Sequence, residues 1–155
     1  MERSALEEAE LEFELVLKSI EEMDYATGLI HLEKALELYD DPGWHSYVGL
    51  LIAMERGEFA VAECLCRASI EHDEANPVHY LNLGKVYLAA GRKQEALATL
   101  RKGMELGGNE RILALLSQLG TRTPPFFRSL RRSHPLNKFL GILLHRRELR
   151  SRGLP

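Results

Sequence analysis

Six histidines, two cysteines and several adjacent carboxylates are the side chains of this sequence that could do more than pack. Histidine and cysteine hold metals, histidine and carboxylates move protons, and a thiolate can attack an electrophile, but each task demands a particular spacing. No two histidines stand four apart with a third ligand in a recognisable pattern, and none follows Cys64-x-Cys66 at a zinc-finger distance. On an ideal helix of 3.6 residues per turn Cys64 and Cys66 point roughly 200 degrees apart, so they cannot grip one ion together. Cys66 is expected in the core and the pairs Glu7-Glu8 and Glu21-Glu22 on solvated helix faces. There is no G-x-S-x-G, no P-loop and no G-x-G-x-x-G, and Gly107-Gly108 reads as a helix stop. The expectation is a protein with no catalytic residue, no cofactor and no metal.

A different chemistry gathers at the C-terminal end. Residues 120–155 hold 9 Lys and Arg against 1 Glu, while residues 1–119 hold 11 against 22 Asp and Glu, so charges of +8 and -11 share a chain whose net charge is -3. Arg128, Arg131, Arg132, Arg146, Arg147, Arg150 and Arg152 with Phe126 and Phe127 have the types that contact phosphates and stack on bases. An acidic body opposes the approach of a polyanion, which ranks nucleic acid below protein as the partner of this segment.

The elements that carry these residues are helical. At 155 residues, 45% hydrophobic, 28% charged and 7% aromatic, the chain is of single-domain size and of globular composition. It has no run of about 18 apolar residues, and its acidic N-terminus lacks the pattern of a signal peptide, so a cytoplasmic location is expected. Leu6, Ala9, Phe13, Val16, Leu17, Ile20 and Met23 trace one apolar stripe of a first helix. Leu11 and Leu15 lie on its far side, as though it packs on more than one neighbour. Gly57 and Gly91 stand 34 residues apart, and so do Ala62 and Ala96, Cys66 and Leu100, and Ser69 and Gly103. A further step back reaches Gly28, Leu32 and Ala35, and the residue after the turn runs Tyr25, Phe59, Lys93. Helix starts are marked at Asp41-Pro42, Asn76-Pro77 and Asn109, and stops at Gly107-Gly108 and Gly120.

Tyr80, Leu83-Gly84, Tyr87, Ala96 and Leu100 fall on the W-x2-L-G-x2-Y and A-x3-F pattern, and through these residues the chain resembles the tetratricopeptide repeat family. Val48-Gly49 stands where Leu83-Gly84 does, but 35 residues earlier, which places one extra residue in the inter-helix turn of that unit. The resemblance implies an all-α, right-handed superhelix of three antiparallel helix pairs over residues 9–41, 42–75 and 76–108. A capping helix over 109–119 would complete a domain of residues 1–119, followed by a basic segment, 120–155, with a helix over 135–149. As a small stand-alone protein of bacterial type, it would be a non-catalytic adaptor or scaffold. In this family the first helix of each pair lines a concave groove for an extended peptide or a helix. The groove residues implied here are Trp44, Tyr47 and Leu51 in the second unit and Val78, Leu81, Asn82, Lys85 and Leu88 in the third. Trp44, the sole tryptophan, is expected to be partly exposed and to lead the contact. Three such units are also similar in architecture to type III secretion chaperones, and a nucleic-acid-associated protein acting through its tail is the reading from another class.

In the segment after Gly120, Leu136, Phe139, Leu140, Leu143 and Leu144 share one helical face whose other sides carry Lys138, His145, Arg146, Arg147 and Arg150. Such a helix needs cover. Docking of Leu136, Phe139, Leu140 and Leu143 on the acidic body or on a second copy is the expectation, ahead of nucleic acid or an anionic membrane.

Overall fold

The computed structural model describes residues 4–120, and the expectations placed on residues 121–155, the tail helix and its docking leucines among them, lie outside the described residues. Among the described residues there are seven α-helices and no strand: α1 (Ala5–Glu21), α2 (Tyr25–Leu38), α3 (His45–Arg56), α4 (Phe59–His72), α5 (Pro77–Ala89), α6 (Lys93–Glu105) and α7 (Glu110–Gln118), with a single 3-10 turn, Pro42–Trp44, before α3. The most extensive packing is within the pairs α1 with α2, α3 with α4 and α5 with α6. Neighbouring pairs join through α2 on α3, α3 on α5 and α4 on α5, and α7 rests on α6. This is an all-α helical repeat fold.

Local chemistry sets the starts. Ser4 and Glu7 form a reciprocal capping box on α1, Asp24 accepts from the Thr27 N–H at the start of α2, and Asn109 accepts from the Ile112 N–H at the start of α7. Asn76 caps α5 with Pro77 in the first helical position, where a missing N–H costs nothing. The stops of α1, α3 and α5 share one device: the backbone turns left-handed at Met23 (φ 58°), Gly57 (φ 68°) and Gly91 (φ 75°), one every 34 residues. Met23 therefore does not continue the apolar stripe of α1. It occupies the turn position that glycine fills in the next two units, and it is 72% exposed.

The extra residue of the second unit is also placed differently from the sequence expectation. From Gly49 to Gly57 the chain stays helical, and the Gly57 N–H closes on the Ala53 carbonyl. After Gly84 the helix stops sooner, and the Arg92 N–H reaches back to the Tyr87 carbonyl. A residue added inside a helix gains one more backbone hydrogen bond, whereas one added to a two-residue turn would have to splay α3 from α4.

Small residues set the spacing within pairs. A Cβ at Gly84 would lie 2.6 Å from Leu100 Cδ2, and one at Gly49 would lie 2.7 Å from the Ala62 carbonyl oxygen and 2.8 Å from Cys66 Sγ. The columns found at a spacing of 34 are core in each unit: Leu32, Cys66 and Leu100 are 0 to 1% exposed, and Gly28, Ala62 and Ala96 are buried with them. Leu11 and Leu15, expected against a second neighbour, are 41% and 42% exposed, because the inward side of α1 is filled by Ala9, Val16 and Phe13.

Candidate functional site in the cleft of the first helices

A cleft of about 340 Å³ opens on the side of the molecule formed by α1, α3, α5 and α7. Its lining comes from the first helix of each pair and from α7 with its cap: Leu17 and Ile20 of α1, Tyr47 and Leu50 of α3, Val78, Leu81, Asn82 and Lys85 of α5, and Asn109, Glu110 and Arg111. A repeating pair explains why. The second helices α2, α4 and α6 bury little beyond the columns that repeat every 34 residues, and the first helices line the cleft. Arg111 donates to Glu21 at 2.8 Å and thereby links α7 to the end of α1.

Five of the eight residues implied by the repeat pattern meet here: Tyr47, Val78, Leu81, Asn82 and Lys85. The other three do not. Trp44 is 8% exposed, stacked on Phe13 with ring centroids 4.6 Å apart and edge-on to Tyr39, so the partly exposed contact residue expected from the sequence is a core residue. The 3-10 turn at Pro42–Trp44 swings the indole inward over α1. Leu51 is fully buried and supplies the neighbour 3.0 Å from a Cβ at Gly28, joining the first two units. Leu88 packs on the cluster of Ala53, Ala62, Val86 and Tyr87. A lining position has to face away from both neighbouring helices, and these three face one of them.

Electrostatically the cleft is mixed. Lys85 has no carboxylate partner among the described residues, and burial, helped by the Arg111 charge, holds its ammonium below the usual lysine range. Burial likewise raises the Tyr47 hydroxyl, against the pull of Arg111. The site is an apolar hollow with one partly desolvated amine at Lys85. No group of three or more His, Cys, Asp or Glu that could hold a metal ion occurs among the described residues. Cys66 is buried beside Glu63, and burial pushes its thiol up to about 12, which leaves it a packing residue.

Beneath the lining lies a polar chain that the sequence did not announce. Asn82 Nδ2 donates to Ser46 Oγ at 3.0 Å, and Ser46 Oγ meets His79 Nδ1 at 2.9 Å. The three residues are between 0 and 2% exposed, and they tie α3 to α5. Neither serine nor histidine signals burial by type, and the only hint is that both stand one position from an apolar column.

A second polar cluster ties α4 to α5 and to the turn before α6. Glu63 accepts from Tyr87 Oη at 2.8 Å, from Arg67 at 2.9 Å and from Arg92 at 2.6 Å, while Arg92 also reaches Glu95 and lies 4.6 Å above the Tyr87 ring. Burial alone would raise the Glu63 carboxyl; the hydrogen bonds from Arg92, Tyr87 and Arg67 overcome it and lower the pKa to about 2. This cluster is a staple and not a reactive carboxylate, because a base held at that value takes up no proton near neutrality.

Residues 53–119 match the model of the tetratricopeptide repeat family. Over these residues, the chain is similar to tetratricopeptide repeats. The match starts inside α3 and runs through α4, α5, α6 and α7, and the α1–α2 pair before it repeats the same buried columns. Tetratricopeptide repeats are in general protein–protein interaction modules, typically without catalysis. No curated protein matches the chain. No described helix is long and apolar enough to cross a membrane.

Proposed function

We propose that this protein is a non-catalytic adaptor or scaffold that takes a peptide or helix of another protein into the cleft of α1, α3, α5 and α7. The observation that carries the reading is the lining itself: Leu17, Ile20, Leu50, Val78 and Leu81 converge around one half-buried amine at Lys85. Apolar walls with a few convergent polar groups are the usual make-up of a recognition site, and about 340 Å³ lies at the small end of the range for such sites. That size admits a few anchoring side chains of such a peptide or helix, while the body of a helix, about 10 Å across with its side chains, stays outside. Affinity capture from the native host with mass spectrometry would name the partner. Val78→Glu combined with Lys85→Glu should then lose it while far-ultraviolet circular dichroism stays unchanged, since both positions are only half-buried. Undiminished capture by the folded double variant would remove the cleft from the account.

The basic segment that follows Gly120 we propose as a further protein-binding element, on its charge and apolar pattern alone. If nucleic acid is its target instead, the full chain will be retained on DNA-cellulose and released with a steep salt dependence, a behaviour that docking on protein through leucines does not produce.

A further inference from the structure

The chain Asn82–Ser46–His79 joins the base of the cleft to a buried imidazole, with Asn82 Nδ2 as the donor in its link to Ser46 Oγ. The Asn82 amide N–H donates to Ser46 Oγ, and the serine O–H, whose hydrogen bonds offer no other acceptor, is satisfied by the His79 tautomer with a bare Nδ1. That arrangement requires His79 to be neutral with its proton on the other ring nitrogen. Adding a proton to Nδ1 converts the acceptor into a donor, so the His79 N–H must now donate to Ser46 Oγ. The serine proton, in a site 0% exposed, then has to find another acceptor. The Asn82 carbonyl oxygen becomes that acceptor if the amide turns over by half a rotation, which satisfies the imidazolium and serine donors and leaves the Asn82 N–H group on the side away from Ser46.

We propose that His79 is a proton-operated switch that reverses the Asn82 amide and so exchanges hydrogen-bond acceptor for donor at the base of the cleft. The inference rests on the reading of the cleft as the binding site for its functional meaning, but the switch itself can be tested without a ligand.

The surroundings favour the neutral resting state. Burial holds the imidazole below the usual histidine value; the Asp73 carboxylate, in the turn after α4, favours the imidazolium, and His72 at the end of α4 opposes it. The groups that α3 and α4 otherwise bring to the chain are neutral: Ser46, and the Cys66 thiol that donates to the Ser46 carbonyl oxygen at 3.5 Å. On α5 the next titratable side chains are Tyr80, which is turned to the Glu74 carbonyl, and Lys85, which lines the cleft. From α6, Lys102 reaches the Tyr80 ring, 5.5 Å away, and not the imidazole; from α7, Arg111 acts on Lys85 and Tyr47. The reversal is therefore set in the range below about pH 6.5, the ordinary histidine value.

Nuclear magnetic resonance on the full chain decides the matter. The His79 ring and the Asn82 side-chain amide should titrate together between pH 7.5 and 5, with one shared midpoint below 6.5. Ser46→Ala should leave His79 titrating while the Asn82 amide stops following it, and His79→Gln should hold the Asn82 amide at one chemical shift throughout. An Asn82 amide that stays fixed while His79 titrates in the unmutated chain, or that follows another histidine, overturns the switch and leaves the cleft reading untouched. Should His79→Gln fail to fold, the comparison between the unmutated chain and Ser46→Ala still decides.

Discussion

Met23 shows how one residue can satisfy a repeat pattern in shape while violating it in type. Its φ of 58° lies where a side chain crowds the following carbonyl, at a cost of about 1 to 2 kcal/mol for an L-residue, and glycine occupies the same place in the next two units. Glycine gives back part of that gain through the larger freedom of its unfolded chain. Met23→Gly should therefore raise stability by roughly 0.5 to 1 kcal/mol, since the side chain is mostly in solvent and little packing is lost. A melt by circular dichroism checks it, and a lowered midpoint would mean that the methionine makes a contact of its own. Glu63 yields a prediction of opposite flavour. Its folded pKa, lowered to about 2, lies under the unfolded value, so its stabilisation is fully present above about pH 4.5 and is lost as pH falls towards 2. Glu63→Gln should flatten the acid side of the stability curve in that window, and an unchanged curve would assign acid sensitivity to other carboxylates.

The helix pair is the scale at which the sequence was most legible. The 34-residue columns at Leu32, Cys66 and Leu100, and the small residues Gly84 and Ala96, are the repeat's own packing code and survive any choice of surface. Ala96→Leu should overpack α5 against α6 and cost on the order of 1 to 3 kcal/mol, read as a lowered denaturation midpoint. An unchanged midpoint would contradict the register, given that Ala96 is 0% exposed. Where the reading failed, the failures have one cause. Trp44 and Leu51 were placed in the groove by register along their helix, but register does not say how far the preceding turn rotates a residue inward. The 3-10 turn moves Trp44 onto Phe13, and the close approach at Gly28 draws Leu51 between units. The Ser46–His79 contact joins residues 33 positions apart that no local pattern relates.

The described residues act together as a stack of pairs, with a site that no single pair contains. The cleft takes residues from α1, α3, α5 and α7, and the Arg111–Glu21 pair spans 90 positions of sequence. Exposed pairs of this sort contribute roughly 0 to 1 kcal/mol, so α7 is held chiefly by its buried Ile112 and Leu116 and only marginally by that bridge. Arg111→Gln should accordingly change the melting midpoint by no more than a degree or two, whereas Ile112→Ala should lower it by about 2 to 5 kcal/mol of stability. Equal effects of the two would mean that α7 is held by charge and not by packing.

Site-directed photocrosslinking tests the central claim most directly, that a protein partner is taken up in the cleft of the first helices. Benzoylphenylalanine can be placed at Val78 in the cleft, and in separate chains at Ile30 on α2 and Val61 on α4, exposed by 56% and 48% and outside the cleft lining. Irradiation in the native host should give a discrete protein adduct from position 78 and none of the same mass from positions 30 and 61. The same adduct from 30 or 61, with none from 78, would place recognition on the second helices and contradict the account.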